Sequence, residues 1–180
     1  ANVVLIDAPD GLILVDTLES IRSAERLVPW IDEMRDRTGK EITDVIYTHN
    51  HADHTFGAGV FLANQQTEPR LWAHQGTEAR VHEVVGIVSP VTYRRAMRMF
   101  GTYLPDSNFE NNGIGGRLSS NASDGFHFVA PTNVIGERED VEMAGERVIL
   151  QHAPGETDDQ NVVYLPDRKT LMAADIYYHA

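Results

Sequence analysis

His49-Asn50-His51-Ala52-Asp53-His54 packs four side chains able to ligate a metal into six residues. The apolar run Val45-Ile46-Tyr47 before it reads as a strand, and Thr55-Phe56-Gly57-Ala58-Gly59-Val60-Phe61-Leu62 after it reads as a turn into a helix. Any fold proposed for the chain must therefore supply a tight strand-to-helix loop carrying all four ligands. His49 and His51 alternate along an extended segment and point the same way, and Asp53 and His54 then turn toward a point nearby. Imidazole and carboxylate suit Zn²⁺ and its first-row neighbours. Two pairs this close suggest two adjacent ions rather than one. The competing reading, a His-rich polar loop that binds nothing, must treat the cluster as coincidence.

Bulk properties narrow the setting. At 180 residues and 42% hydrophobic, the chain has the length of one domain and can bury one sizeable core. No apolar run approaches the roughly 18 residues of a membrane-spanning helix, and no signal-peptide pattern opens the chain. It starts instead on strand-like Val3-Val4-Leu5-Ile6 without a Met, as a trimmed or partial product would. Without cysteine there is neither a disulfide framework nor a thiolate metal site, which fits either redox compartment. The formal charge is −12, with a pI near 5.0. A phosphate-tracking nuclease needs a basic stripe, whereas the basic residues here are scattered apart from Arg94-Arg95 and Arg98. Nucleic acid is not the expected partner.

Read in order, the chain mixes strands and helices. Ala8-Pro9-Asp10-Gly11 turns between two apolar runs and makes an opening β-hairpin. From about Ser20 to Arg37, the residues Ile21, Ala24, Leu27, Val28, Ile31 and Met34 recur at helical spacing, with Gly39 as the stop. Pro29 inside that pattern predicts a kink or two successive helices. A strand Asp44–Tyr47 leads into the metal loop, and Arg70–Ala73 is a short strand. Thr77–Phe100 reads as mostly helical, broken near Ser89-Pro90, and 101–125 as a Gly/Asn/Ser-rich loop. Beyond it come a strand Phe126–Val129, a hairpin turned at Ala144-Gly145-Glu146, and strands Val162–Leu165 and Thr170–Ala173. This order fits two sheets packed face to face with helices outside.

Thr48-His49-x-His51-x-Asp53-His54 resembles the signature of the metallo-β-lactamase superfamily, and the likeness covers most of the chain. Asn2–Asp7 and Gly11–Asp16 are similar to that fold's early hairpin with its strand-terminal Asp. Most members carry the next ligand in a Pro-Gly-His-Thr run, whereas this chain has Ala153-Pro154-Gly155-Glu156-Thr157. A Glu there resembles the alkylsulfatase branch, as does Ala174-Asp175, nineteen residues beyond Glu156. Ala73-His74-Gln75-Gly76 through Arg94-Arg95-Ala96 and Phe100-Gly101 is similar to its helical insert, and Ala130-Pro131-Thr132 to a short motif after it.

The resemblance implies an α+β fold, the superfamily's αββα sandwich, as a single domain over 1–180 with the helical insert at about 74–100 and the loop at about 101–125. It implies a hydrolase that cleaves an alkyl sulfate ester with a water activated by two zinc ions. His49, His51 and Glu156 would hold one ion, Asp53 and His54 the second, with Asp175 near both and Asp53 orienting the nucleophile. Asp53, Glu156 and Asp175 would then be neutralised by cations rather than by solvent. A lactonase or other ester hydrolase of the same fold, or an incomplete metal-binding lobe without turnover, are the competing functions. A small anionic ester needs cationic or amide donors besides the ions, for which Arg94, Arg95, Arg117, Asn111 and Asn112 are candidates.

Several residues read more plainly. His74 at a strand end reads as structural, His82 and Glu83 as a solvated helix face, and Arg94-Arg95-x-x-Arg98 as a surface ion-pairing cluster. His152 sits where superfamily members often have a non-ligating residue. The resemblance also implies a final His for the second ion several tens of residues past Asp175. His179 is only four residues on. The fold is therefore expected to be incomplete at both ends, completed by further chain or by a partner protomer in a homo-oligomer.

Overall fold

Val4–Asp7 (β1) and Leu12–Val15 (β2) form the antiparallel hairpin expected around Pro9-Asp10-Gly11, with Val4 opposite Val15 and Asp7 opposite Leu12. The computed structural model describes residues 2–63, 65–99, 103–108 and 122–177. From β2 the first sheet continues in parallel through Ile42–Ile46 (β3), Arg70–His74 (β4) and Asn133–Ile135 (β5), in the order β1-β2-β3-β4-β5. The second sheet is an antiparallel meander of Arg138–Met143 (β6), Glu146–His152 (β7), Asn161–Leu165 (β8) and Thr170–Met172 (β9).

All four residues of β2 are buried because both faces of the first sheet are covered. Ile13 and Val15 point into the layer between the sheets, where Ile6, Ile46, Trp72 and Ile135 meet Met143, Val148, Leu150, Val163 and Leu165 of the second sheet. Leu12 and Leu14 point the other way, toward the helices, with Ile42, Val45, Tyr47, Leu71 and Ala73. The outer face of the second sheet carries exposed Arg138, Asp140, Glu142 and Arg147, with Arg147 paired to Asp140 at 2.7 Å. The described residues thus form a helix–sheet–sheet stack, an α+β sandwich.

The Pro29 signal resolves into two helices. Ile21–Glu25 (α1) starts at Ser20, whose side chain accepts a hydrogen bond from Ser23 N. Val28–Thr38 (α2) begins afresh with Pro29 in its first turn, where a missing N–H costs nothing. It ends at Gly39, whose φ of 69° closes the last turn in the left-handed region. Thr77–His82 (α5), which follows the short helices Ala52–Thr55 (α3) and Ala58–Leu62 (α4), runs through a π-helical turn Glu83–Ile87 into Ser89–Met99 (α6). The break expected at Ser89-Pro90 is therefore a widened turn just before it. Asn111, Asn112, Arg117 and His179 lie outside the described residues, as does most of 101–125.

One expected strand is absent. Phe126–Val129 makes no ladder; His127 instead exchanges backbone hydrogen bonds with Phe56 and Gly59, and Phe128 and Val129 pack on the helix-side core. Its apolar content serves burial against helices rather than sheet pairing. The edge strand is Asn133–Ile135, too short to show a period of two.

Candidate metal centre

β3 runs out at Ile46, and the chain leaves it through buried Tyr47, Thr48 and His49 into Ala52–Thr55 (α3) and Ala58–Leu62 (α4). His51, with φ −61° and ψ 146°, caps α3, so Asp53 and His54 stand in its first turn. Gly57 lets this loop press on the segment after β2: a Cβ there would lie 2.0 Å from the Thr17 carbonyl oxygen. The Gly57 N–H donates to Leu18 O, and Thr17 donates to His54 O through both its N–H and its Oγ1. The loop is held by backbone before any metal is considered.

The histidine rings cluster, with centroids 4.7 Å apart for His49 and His51 and 4.1 Å for His49 and His54. Two acids reach them from the second sheet. Glu156, on the loop between β7 and β8, lies 3.2 Å from His51 Nδ1 and 3.6 Å from His49 Nε2. Asp175, on a 3-10 turn Ala174–Ile176 after β9, lies 3.4 Å from His54 Nε2. Ligand atoms of His49, His51 and Glu156 fall within 4.8 Å of one another, and so do those of His49, His54 and Asp175. His49 belongs to both groups, although the family resemblance gives it only to the first. Asp53 joins neither group but lies 3.5 Å from His54 Nε2.

These spacings fit a cation. Two atoms each about 2.0–2.2 Å from one tetrahedral ion stand about 3.3–3.6 Å apart, close to what separates the imidazole nitrogens from the carboxylate oxygens here. The gaps of 3.4–3.6 Å at His54 Nε2 and His49 Nε2 are too long for good hydrogen bonds. His49 Nε2 and His54 Nε2 are accordingly buried with no hydrogen-bond partner among the described residues, a position that costs about 1–3 kcal/mol per unsatisfied group unless something else fills it. The donor set, imidazole and carboxylate without thiolate, suits zinc and similar divalent ions. His51 and Glu156 are 39% and 38% exposed in their side chains, so the cluster opens to solvent on that edge.

Charge around the cluster is uneven. Burial opposes protonation of His54, yet the carboxylates of Asp16, Asp175 and Asp53 push its pKa up to about 12. Ligation of a divalent cation through Nε2 would have to release that proton. Burial and the neighbouring His54 and His51 pull His49 down to about 4, leaving its ring neutral and a nitrogen lone pair free to ligate. Asp53 is held well below the ordinary carboxylate range: burial acts against this, but His54 outweighs it.

One contributor was visible in the sequence only as a strand-terminal acid. Asp16, 4% exposed, accepts hydrogen bonds from Thr48 N at 2.8 Å and Thr48 Oγ1 at 2.9 Å, and its Oδ2 lies 2.7 Å from His54 Nδ1. Other histidines stay outside the cluster. His74 stacks on His152 with centroids 4.2 Å apart and accepts from Gly76 N, while His152 Nε2 bonds the Asp158 carbonyl. His82 is exposed beside Glu78, and Glu83 pairs with Arg80. The expected ion pairs of Arg94, Arg95 and Arg98 do not form among the described residues; Arg95 meets Met99 Sδ instead.

Comparison with known proteins gives the family. The chain is 33% identical over 177 residues to a linear primary-alkylsulfatase of Pseudomonas sp., covering 96% of the chain and 32% of that protein. It is 29% identical over 187 residues to an alkyl/aryl-sulfatase of Saccharomyces cerevisiae, covering 99% of the chain and 28% of that protein. It therefore spans about a third of the length of these curated relatives. Among solved structures, a double mutant of the sec-alkyl sulfatase PisA1 superposes with a TM-score of 0.82 at 25% identity, over 97% of this chain and 28% of that one. The pattern of the metallo-beta-lactamase superfamily matches residues 1–179, and the chain belongs to that superfamily.

Proposed function

We propose that this chain carries the reaction centre of a metal-dependent hydrolase that cleaves an organic sulfate ester, most like an alkyl sulfate, with water activated by two zinc ions. The observation that carries the reading is the pair of ligand groups sharing His49. His49, His51 and Glu156 would hold one ion, and His54 and Asp175, with Asp53 beside them, the other, His49 standing between the two. When bound, the ions would supply Lewis acidity and bring a water's pKa toward neutrality. The chain's own residues do the rest. Asp16 holds the His54 ring so that Nε2 faces Asp53 and Asp175. Asp53, on the first turn of α3, orients the attacking water through its carboxylate. The sulfate ester as substrate is supported by Glu156, which replaces the superfamily's commoner His, and by the likeness to alkylsulfatases. Among the described residues no helix is long and apolar enough to cross a membrane.

The test combines elemental analysis of protein purified without chelator with a turnover screen on alkyl sulfates, lactones and phosphoesters. Up to two zinc ions per chain and preferential turnover of alkyl sulfates are expected. Preferential lactone turnover would move the substrate to the other ester class. Bound metal with no turnover of any ester would make the chain a metal-binding lobe.

A further inference from the structure

Asp159 belongs to neither ligand group and is 1% exposed, yet it ties its own loop to two distant segments. Its Oδ1 accepts hydrogen bonds from Asn50 Nδ2 and from Thr157 Oγ1, both at 2.6 Å, and its Oδ2 accepts one from Thr77 Oγ1 at 2.7 Å. Asn50 is buried between His49 and His51, Thr157 directly follows Glu156, and Thr77 opens α5. A carboxylate offers two oxygens with about four lone-pair sites, so one side chain can take all three donors. An amide would turn its NH₂ toward one of them.

His51 and Glu156 need this support. They stand on different loops, 39% and 38% exposed, and no packed core surrounds them to keep His51 Nδ1 3.2 Å from Glu156 Oε2. The buried bridge Asn50–Asp159–Thr157 lies one residue away from each. Two other links run beside it: Glu156 N donates to Gln160 Oε1 at 2.9 Å, and Asn161 N donates to Thr48 O at 2.8 Å.

We propose that Asp159 is a positioning residue that fixes the histidine loop against the Glu156 loop, so that His49, His51 and Glu156 converge on one ion. The inference rests on the metal reading above. Its clamp joins residues 109 apart in sequence and acts before any ion arrives.

Cobalt(II) tests it without recourse to turnover, because the ion's visible spectrum reports its ligands and a competing chelator reports its affinity. Asp159→Ala and Asn50→Ala should each weaken the tighter cobalt site by about 10–100-fold, as losses of groups that orient ligands do. Their double variant should lose no more than the larger single loss, because both cut one bridge. Asp159→Asn keeps an oxygen for Asn50 and should recover part of the affinity. Thr77→Val removes the third bond, which leads to α5 and not to a ligand loop, and should cost less affinity than Asp159→Ala while leaving the spectrum unchanged. Cobalt bound by Asp159→Ala and Asn50→Ala as tightly as by the parent would overturn the clamp, as would an equal loss in Thr77→Val. If Asp159→Ala does not fold, Asn50→Ala and Asp159→Asn against Thr77→Val decide the matter. A parent chain that takes up no cobalt would defeat the metal reading itself, a different failure.

Discussion

Asp16 holds His54 from behind: its Oδ2 lies 2.7 Å from His54 Nδ1, while His54 Nε2 faces Asp175 and Asp53 at 3.4 and 3.5 Å. Asp16 reaches that point with φ at 62°, a left-handed conformation that Asp and Asn tolerate better than other non-Gly residues. Both its oxygens are committed, to Thr48 as well as to His54. Asp16→Asn keeps the backbone preference and the size but offers only one acceptor oxygen. Zinc affinity is expected to fall about 10–100-fold, measured by chelator competition. Unchanged affinity would show that the Asp16 carboxylate does not support His54 as a ligand.

Asp53 carries the second expectation. It lies in the first turn of α3 beside His54, and its side chain is only 20% exposed. Asp53→Asn should fold normally and lose at least about a hundredfold in turnover, the scale of removing one preorganised electrostatic group. Steady-state kinetics on the best ester from the screen, beside a circular dichroism spectrum, would measure it. Near-parental turnover would mean that the carboxylate is structural.

Glu156 separates charge from shape. Glu156→Gln preserves the size of a side chain already half in solvent, so the metal-free fold should keep its midpoint of unfolding. Zinc affinity should drop sharply, because the charge that balances an ion is gone. Glu156→His restores the commoner superfamily ligand and should retain zinc. Equal affinity in Glu156→Gln would remove Glu156 from the ligand set.

Tyr47 gives an alkaline signature. It is fully buried, and its hydroxyl donates to the Val129 carbonyl at 3.0 Å. Burial raises its pKa above the ordinary tyrosine value, and a hydroxyl that donates to a carbonyl would lose that bond on ionising. Below about pH 10 both folded and unfolded chains keep the proton. Above it the unfolded chain loses the proton while the folded one holds it, so stability falls as pH rises. Tyr47→Phe should cost about 0.5–1.5 kcal/mol near neutrality yet lack this alkaline loss. Urea unfolding at about pH 8 and about pH 11 should show the gap between the two proteins closing, and a constant gap would refute the assignment.

Much of this was legible in the sequence, for physical reasons. The histidine loop is contiguous, so its ligands needed no long-range folding to be seen together. Pro29 cannot donate within a helix, and the chain restarts α2 around it. Phe126–Val129 misled because an apolar run reports burial, not pairing, and its partners are the turns at Phe56 and Gly59. The shared place of His49 in both ligand groups depends on ring orientation, which spacing alone does not carry. Asp159 was invisible for a different reason. Its partners Asn50 and Thr77 lie 109 and 82 residues away, and only the stacking of the two sheets brings them to one carboxylate.

The candidate ligands divide between the two sheets. His49, His51, Asp53 and His54 hang from the end of β3, while Glu156 leaves β7 and Asp175 follows β9. A cation gripped from both sides would act as a removable rivet across the mouth of the sandwich. Ligation favours the closed stack over any opened one, so stability should rise with free zinc concentration, and amide exchange in β7 and β8 should quicken on chelation. The same joint that would serve chemistry would then set how readily the two sheets part, and metal supply would govern the lifetime of the fold.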